Sequence, residues 1–144
     1  MAYITNQDII DRVGTSAAAQ LTTDSGATPD QDVIDEVRNA SEGEVNGYLA
    51  KRYTVPVDLT THTDLADTLK SFTLDVAVYR LMGRRGRISE SYKQAYENAK
   101  EWLTKVSEGK IVLPAATTPE APTGDAQVLG YGKYRDNTSL ANWN

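Results

Sequence analysis

The side chains that could carry out acid–base or nucleophilic chemistry are few and far apart. His62 is the single histidine of the 144-residue chain, and the sequence places no serine, lysine or acid so as to complete a nucleophilic relay with it. Asp64 and Asp67 lie one helical turn apart, where the helix dipole favours acids at the start of a helix. There is no cysteine, which excludes disulfides, thiolate chemistry and cysteine-based zinc sites. We therefore expect a protein that is not an enzyme and that holds no cofactor and no metal.

Other polar stretches match known binding motifs only in part. The run TTDSGATPDQD, residues 22–32, contains acids and a glycine but not in the order of a calcium loop. The loop GRRGR, residues 83–87, has neither the glycine spacing nor the preceding strand of a phosphate-binding loop. A solvated helix face explains the remaining clustered acids better than a metal site does; these are Asp35, Glu36, Glu42 and Glu44.

The GRRGR loop is the most basic five-residue window of the chain, and its arginines are the first candidate site. Arg84, Arg85 and Arg87 would contact the phosphate backbone if many copies assembled around DNA. They would equally suit carboxylates of an adjacent subunit, or they would simply keep an exposed loop soluble. Composition does not separate these three alternatives.

Charge and hydropathy exclude several classes of protein. The net charge of −5 argues against a surface-wide basic footprint for nucleic acid. No run approaches the ~18 apolar residues that a membrane-spanning helix needs. The N-terminus, MAYITNQD, lacks the segments of a signal peptide. We expect a soluble protein made in the cytoplasm.

Helical periodicity and capping residues predict an all-α fold, a small bundle of about four helices with short extended segments. Thr5, Thr28 and Ser89 are the predicted N-caps. A further short turn is predicted at Ala17–Leu21, and Ile111–Leu113 is predicted as a small strand or an extended segment pinned to the core. The four helices are expected at about Asn6–Val13, Pro29–Ala50, Asp64–Met82 and Ser89–Ser107.

Two of these helices carry patterns that predict how they pack. Gly43 and Gly47 sit inside the second predicted helix, where close approach of a neighbouring backbone would explain them. Beyond them, the rings of Tyr48 and Tyr53 are expected to fill the core of the chain itself; the alternative is that they clasp the helix end, together with Arg52, to the loop that follows. The third predicted helix has a narrow inward stripe of Leu65, Leu69, Phe72, Val76, Tyr79 and Leu81.

The composition changes after Pro114, which divides the chain into a helical domain, 1–114, and an extended C-terminal arm, 115–144. The arm is rich in Pro, Gly, Thr and Asn and cannot bury enough apolar surface to order itself. It becomes ordered on a partner, with strand addition through Gln127–Tyr131 as one route, or it is a frayed tail. Its candidate docking residues are Val128, Leu129, Tyr131, Tyr134, Leu140 and Trp143.

With its helices in this order, the chain resembles the Mu-like head-to-tail adaptor group of tailed-phage head–tail connector proteins. The resemblance covers about residues 1–114, and GYLxxRYxxP is its most specific part. The pieces that carry it are Tyr3–Ile4–Thr5, the LTTDSG loop before Pro29, Asn39–Ala40–Ser41, Gly47–Tyr48–Leu49, Arg52–Tyr53 with Val55–Pro56, Asp75–Leu81, Tyr96, Ala99, Leu103, Gly109–Lys110 and Leu113–Pro114.

The resemblance implies a structural protein of the virion, located at the neck between capsid and tail. Such a subunit forms a homo-oligomeric ring of twelve copies under the portal protein, extends the DNA channel without reading the DNA sequence, and contacts a downstream connector or tail protein. It implies no membrane association, and it gives the arm a partner to dock on. The alternative is a small helical scaffolding or regulatory module that binds another protein through the arm.

Overall fold

The computed structural model describes residues 2–117 of the chain, and within them it forms five α-helices and no strand. The predicted all-α bundle is confirmed. The fifth helix arises because the short turn expected at Ala17–Leu21 is a complete helix whose Ala18, Ala19 and Leu21 are buried. The helices are α1 (Asn6–Val13), α2 (Thr15–Thr22), α3 (Gln31–Leu49), α4 (Thr63–Gly83) and α5 (Glu90–Ser107).

Capping side chains set two of the five described helix starts, those of α1 and α5, where the sequence predicts them. The Thr5 hydroxyl accepts from the Asp8 N–H at 3.1 Å, and the Asp8 carboxylate accepts from the Thr5 N–H at 2.8 Å, which completes a capping box for α1. Ser89 accepts from the backbone N–H of Tyr92 at the start of α5. Both predicted caps are therefore confirmed.

The predicted start of α3 is wrong by two residues. The cap is Asp30 rather than Thr28, because the Asp30 carboxylate accepts from the N–H groups of Asp32 and Val33. The N–H of Asp30 itself donates to the hydroxyl of Thr22 at 2.9 Å. This bond ties the end of α2 to the start of α3 and keeps Asp30 outside the helix.

Helices α3, α4 and α5 form an antiparallel bundle with α4 at its centre. Ile34 at the start of α3 shares a core cluster with Leu81 at the end of α4, whereas Leu49 at the end of α3 packs with Leu69 near the start of α4. Helices α1 and α2 cover one end of this bundle and also contact α4. The central position of α4 has a direct consequence for its sequence pattern.

The inward stripe predicted for α4 is confirmed at Leu69, Val76 and Leu81, but it is too narrow, because buried residues lie on nearly all sides of the helix. The predicted Phe72 and Tyr79 are half-buried at its margins. The one buried hydroxyl among the buried α4 residues is satisfied, since Thr73 donates to the carbonyl of Leu69 at 2.7 Å. The buried residues of α4 are Leu69, Thr73, Leu74, Val76, Ala77, Val78, Leu81 and Met82.

The close packing predicted at Gly43 and Gly47 is also wrong within this chain. Both glycines are exposed, and a Cβ atom built on either would meet nothing within 4 Å. Ser41 and Val45, on the opposite side of α3, are the residues that face the core. The two glycines therefore lie on the open face of α3.

Candidate interaction surfaces

The basic loop after α4 is held against the end of α2 by all three of its arginines. Arg84 donates to the carbonyl oxygen of Leu21. Arg85 forms an ion pair of 3.0 Å with Asp24, and Arg87 donates to the side-chain oxygen of Gln20 at 3.0 Å. The sequence indicates none of these partners, because they lie more than sixty positions away along the chain.

These contacts separate Arg84 from the other two arginines. The Leu21 carbonyl belongs to the last turn of α2, where carbonyls lack a partner within the helix and carry the negative end of its dipole. Arg84 therefore acts as a C-terminal cap of α2, because its charged side chain donates to a carbonyl of the last turn. The Asp24 side chain is 92% exposed, so its pair with Arg85 is a surface ion pair that contributes about 0–1 kcal/mol. Arg85 and Arg87 keep the capacity to bind an external anion.

Arg85 and Arg87 line a polar cleft of about 350 Å³ together with Gln20 and residues 23–26. The cleft combines guanidinium groups with hydroxyl and carboxylate groups of the turn between α2 and α3. Such a lining suits charged or polar partners rather than apolar ones. The loop is therefore a structured surface, which disfavours the interpretation that its arginines serve solubility alone.

The second surface lies where the chain leaves the bundle after α5. The extended segment predicted at Ile111–Leu113 is confirmed as pinned to the core, since Leu113 is 2% exposed and its N–H donates to the Tyr53 hydroxyl at 2.7 Å. The Thr54 N–H then donates to the Ala116 carbonyl at 2.9 Å, and Tyr53 forms an isolated antiparallel bridge with Thr117. These bonds fix the point from which the rest of the arm departs.

The prediction that the Tyr53 ring fills the core is confirmed, and the alternative, a clasp to the loop that follows α3, is wrong for its hydroxyl. Tyr53 is 2% exposed in the core, as expected. Its hydroxyl and the Arg52 guanidinium reach across to the turn after α5 rather than to the following loop. Arg52 lies so close to Gly109 that a Cβ atom there would stand 3.0 Å from its guanidinium carbon. Tyr48 is half-buried against the same core cluster.

Part of the predicted acidic face of α3 forms a polar network that joins three helices. Glu44 accepts from Arg80 at 2.7 Å and from the Tyr96 hydroxyl at 2.8 Å, and the Tyr96 ring stacks on Tyr79 with centroids 4.0 Å apart. Burial, with the hydrogen bond to Glu44 and the charge of Glu44, raises the pKa of Tyr96 to about 12. A solvated face is thus wrong for Glu44.

Glu42 is likewise engaged rather than solvated. Its carboxylate accepts from the N–H groups of Tyr3 and Ile4 at 2.7 and 3.0 Å. The Tyr3 hydroxyl donates to Asn46 and accepts from the Val57 N–H, and burial raises the pKa of Tyr3. Glu42 therefore holds the N-terminal segment against α3, and Glu44 links α3 to α4 and α5.

The remaining residues that could act as bases or metal ligands do not cluster within residues 2–117. The exposed His62 occupies the N-cap position of α4 without a capping hydrogen bond from its side chain. Within residues 2–117, no group of three or more His, Cys, Asp or Glu residues is arranged to hold a metal ion. In the same range no helix is long and apolar enough to cross a membrane. The arm candidates Val128, Leu129, Tyr131, Tyr134, Leu140 and Trp143 lie outside the described residues.

The two surfaces lie at opposite ends of the bundle. The basic loop directly follows α4, whereas Tyr53 and Thr117 lie beyond the end of α3, close to the start of α4. Because α4 has 21 residues, the surfaces are separated by about one helix length, roughly 30 Å.

A comparison with protein families identifies the group to which the chain is related. Residues 3–129 match the family described as Bacteriophage Mu, Gp36, so the match continues beyond Pro114 into the arm. A comparison with curated individual proteins found no match. The matched range covers most of the chain, including all five helices and both surfaces. The chain is therefore a bacteriophage protein and belongs to the Mu Gp36 family.

Proposed function

We propose that this protein is a structural component of the phage particle, a head-to-tail adaptor without catalytic activity. Copies of the chain form a ring under the portal protein, extend the DNA channel and present a platform to a downstream connector or tail protein. The observation that carries this proposal is the family match over residues 3–129, because it associates the chain with a phage and spans its whole helical body.

The arrangement of the two surfaces supports this role. An adaptor must bind one neighbour above and another below, and the basic loop and the departure point of the arm lie about 30 Å apart at opposite ends of α4. In the adaptor ring, one end faces the portal and the other faces the tail. The arm docks on one of these partners through its apolar residues.

Ring closure requires a heterologous contact, in which different surfaces of neighbouring copies meet. The exposed face of α3 around Gly43 and Gly47 is open, and it is available for such a contact. Arg85 and Arg87 would either face DNA phosphates in the channel or pair with carboxylates of the adjacent copy.

Native mass spectrometry of the chain mixed with its portal tests this proposal. We expect one complex with a fixed, high copy number of the chain, twelve per portal ring. A monomer in isolation agrees with the proposal if the ring needs the portal as its template. If every mixture contains only free monomers or dimers, the chain is not an adaptor, and the scaffolding or regulatory module becomes the better interpretation.

A further inference from the structure

An apolar pocket opens beside the N-terminal segment, at the end of the bundle from which the arm departs. It has a volume of about 130 Å³ and is lined mainly by Tyr3, Val57, Leu59, Thr60, Ala66 and Leu69. Val57, Leu59 and Leu69 form its floor and are only 2–3% exposed, whereas Thr60 stands exposed at the rim. The polar groups of Tyr3 and Val57 are hydrogen-bonded to each other, since the Val57 N–H donates to the Tyr3 hydroxyl at 2.8 Å.

The size of the pocket limits what can occupy it. A cavity of about 150 Å³ lined by apolar side chains holds one benzene-sized molecule, so this pocket accepts a single large apolar side chain. One side chain offers too little contact to offset the loss of translational and rotational freedom when a separate molecule binds. A segment tethered to the same chain avoids most of that loss, because its effective concentration is in the millimolar range.

The chain itself supplies such a segment. Val128 and Leu129 are the first large apolar residues after Leu113, and the family match ends at residue 129. The residues from Thr117 to Leu129 can span roughly 40 Å when extended. Thr117 pairs with Tyr53, which is four residues from the pocket residue Val57 and therefore at most about 14 Å from it. The arm is thus long enough to reach the pocket. Pro119, Pro122 and Gly124 of the intervening sequence favour turns.

We propose that the apolar pocket is a docking site for the Val128–Leu129 pair of the same chain, one of whose side chains enters it. In the free protein this latch covers apolar residues that the arm presents to a partner during assembly. The latch requires neither ring nor portal, so it can be tested on the isolated full-length chain, and its failure leaves the proposed function untouched.

The absence of native cysteine makes a disulfide reporter clean. Thr60→Cys at the rim is combined with Gln127→Cys, which leaves Val128 and Leu129 intact. The matched control combines Gln127→Cys with Lys51→Cys, an exposed position beside Tyr53 and thus nearer to where the arm departs. Because a disulfide needs Cβ atoms about 4 Å apart, a docked arm should link to Thr60→Cys roughly tenfold faster than to Lys51→Cys.

Two further variants in the Thr60→Cys, Gln127→Cys background test the occupant. Val128→Asp with Leu129→Asp, and separately Ala66→Leu, which fills the pocket, should each reduce crosslinking to the rate of the Lys51→Cys control. Leu140→Asp should leave it unchanged. Circular dichroism of each variant checks that the helices are retained.

Several results would overturn the proposal. Equal rates at Thr60→Cys and Lys51→Cys would mean an undocked arm. Rates unaffected by the two aspartates would mean that Val128 and Leu129 are not the residues that hold the arm at the pocket. Crosslinks between two chains instead of within one would assign the pocket to the arm of a neighbouring copy.

Discussion

At the scale of single residues, Tyr53 joins the helical body to the departing arm. Its buried hydroxyl accepts from the N–H of Leu113 at 2.7 Å, and its ring fills the core cluster formed by the ends of α3 and α5. A buried N–H without an acceptor is costly because it has lost its bonds to water. The Tyr53 hydroxyl therefore stabilises this junction in addition to the backbone bond from Thr54 to Ala116.

Tyr53→Phe should lower the free energy of unfolding by about 1–3 kcal/mol, because it leaves the Leu113 N–H buried and unpaired. Urea denaturation measures the change. Tyr79→Phe is the matched control: it keeps the ring stacked on Tyr96 and should change stability by no more than about 0.5 kcal/mol. Equal effects of the two substitutions would contradict the role assigned to the Tyr53 hydroxyl.

Tyr96 gives a prediction about alkaline pH. Its pKa in the folded chain is raised from 10.0 to about 12, because burial and Glu44 favour the neutral hydroxyl. A raised pKa stabilises the fold below the unfolded value, and this contribution is lost as the pH rises through about 12. Between pH 10 and 12 the wild type should therefore lose more stability than Tyr96→Phe. If the wild type and Tyr96→Phe lost the same amount of stability across that range, Tyr96 would titrate as an ordinary tyrosine.

At the scale of helices, local signals in the sequence predict boundaries well and packing poorly. The capping box of Thr5 and Asp8 and the Ser89 cap depend on residues within three positions, so they can be read from sequence. The burial of α4 on nearly all sides depends on how many helices surround it, which its own periodicity does not report. For the same reason the sequence does not indicate the partners of Arg84 and Glu44, which come from distant elements.

The exposed glycines of α3 give a prediction about helix stability. Gly47 lies on an exposed helix face with open space around it, so Gly47→Ala should raise the free energy of unfolding by about 1 kcal/mol. Gly109→Ala is the contrasting control and should be destabilising by about 1–2 kcal/mol, because Gly109 has a φ of +80° and lies against Arg52. A loss of stability in Gly47→Ala would reveal a contact on α3 that the chain alone does not show.

The arginines of the basic loop should differ in their contribution to stability. Arg84→Gln removes the charged group that donates to the last turn of α2, and it should lower the free energy of unfolding by about 1 kcal/mol. Urea denaturation measures the change. Arg85→Gln with Arg87→Gln removes surface contacts and should cost less than about 0.5 kcal/mol. If the double variant were the less stable one, the division between a structural Arg84 and two available arginines would be wrong.

At the scale of the whole molecule, the fold places two distinct surfaces at opposite ends of an antiparallel bundle. The sequence predicts both stretches, GRRGR and the start of the arm, but not their separation, because that distance arises from the antiparallel path of α3 and α4.

In assembled particles, Arg85→Gln with Arg87→Gln should spare the ring and lower DNA retention if these side chains line the channel. Loss of the ring instead would assign them to the contact between neighbouring copies.

The most direct test is a cryo-EM reconstruction of the full-length chain assembled with its portal. We expect a closed ring of the chain coaxial with the portal, with the basic-loop end and the arm end of each bundle facing opposite directions along the channel. Copies bound outside the channel axis, or no symmetric density for the chain, would contradict the adaptor proposal.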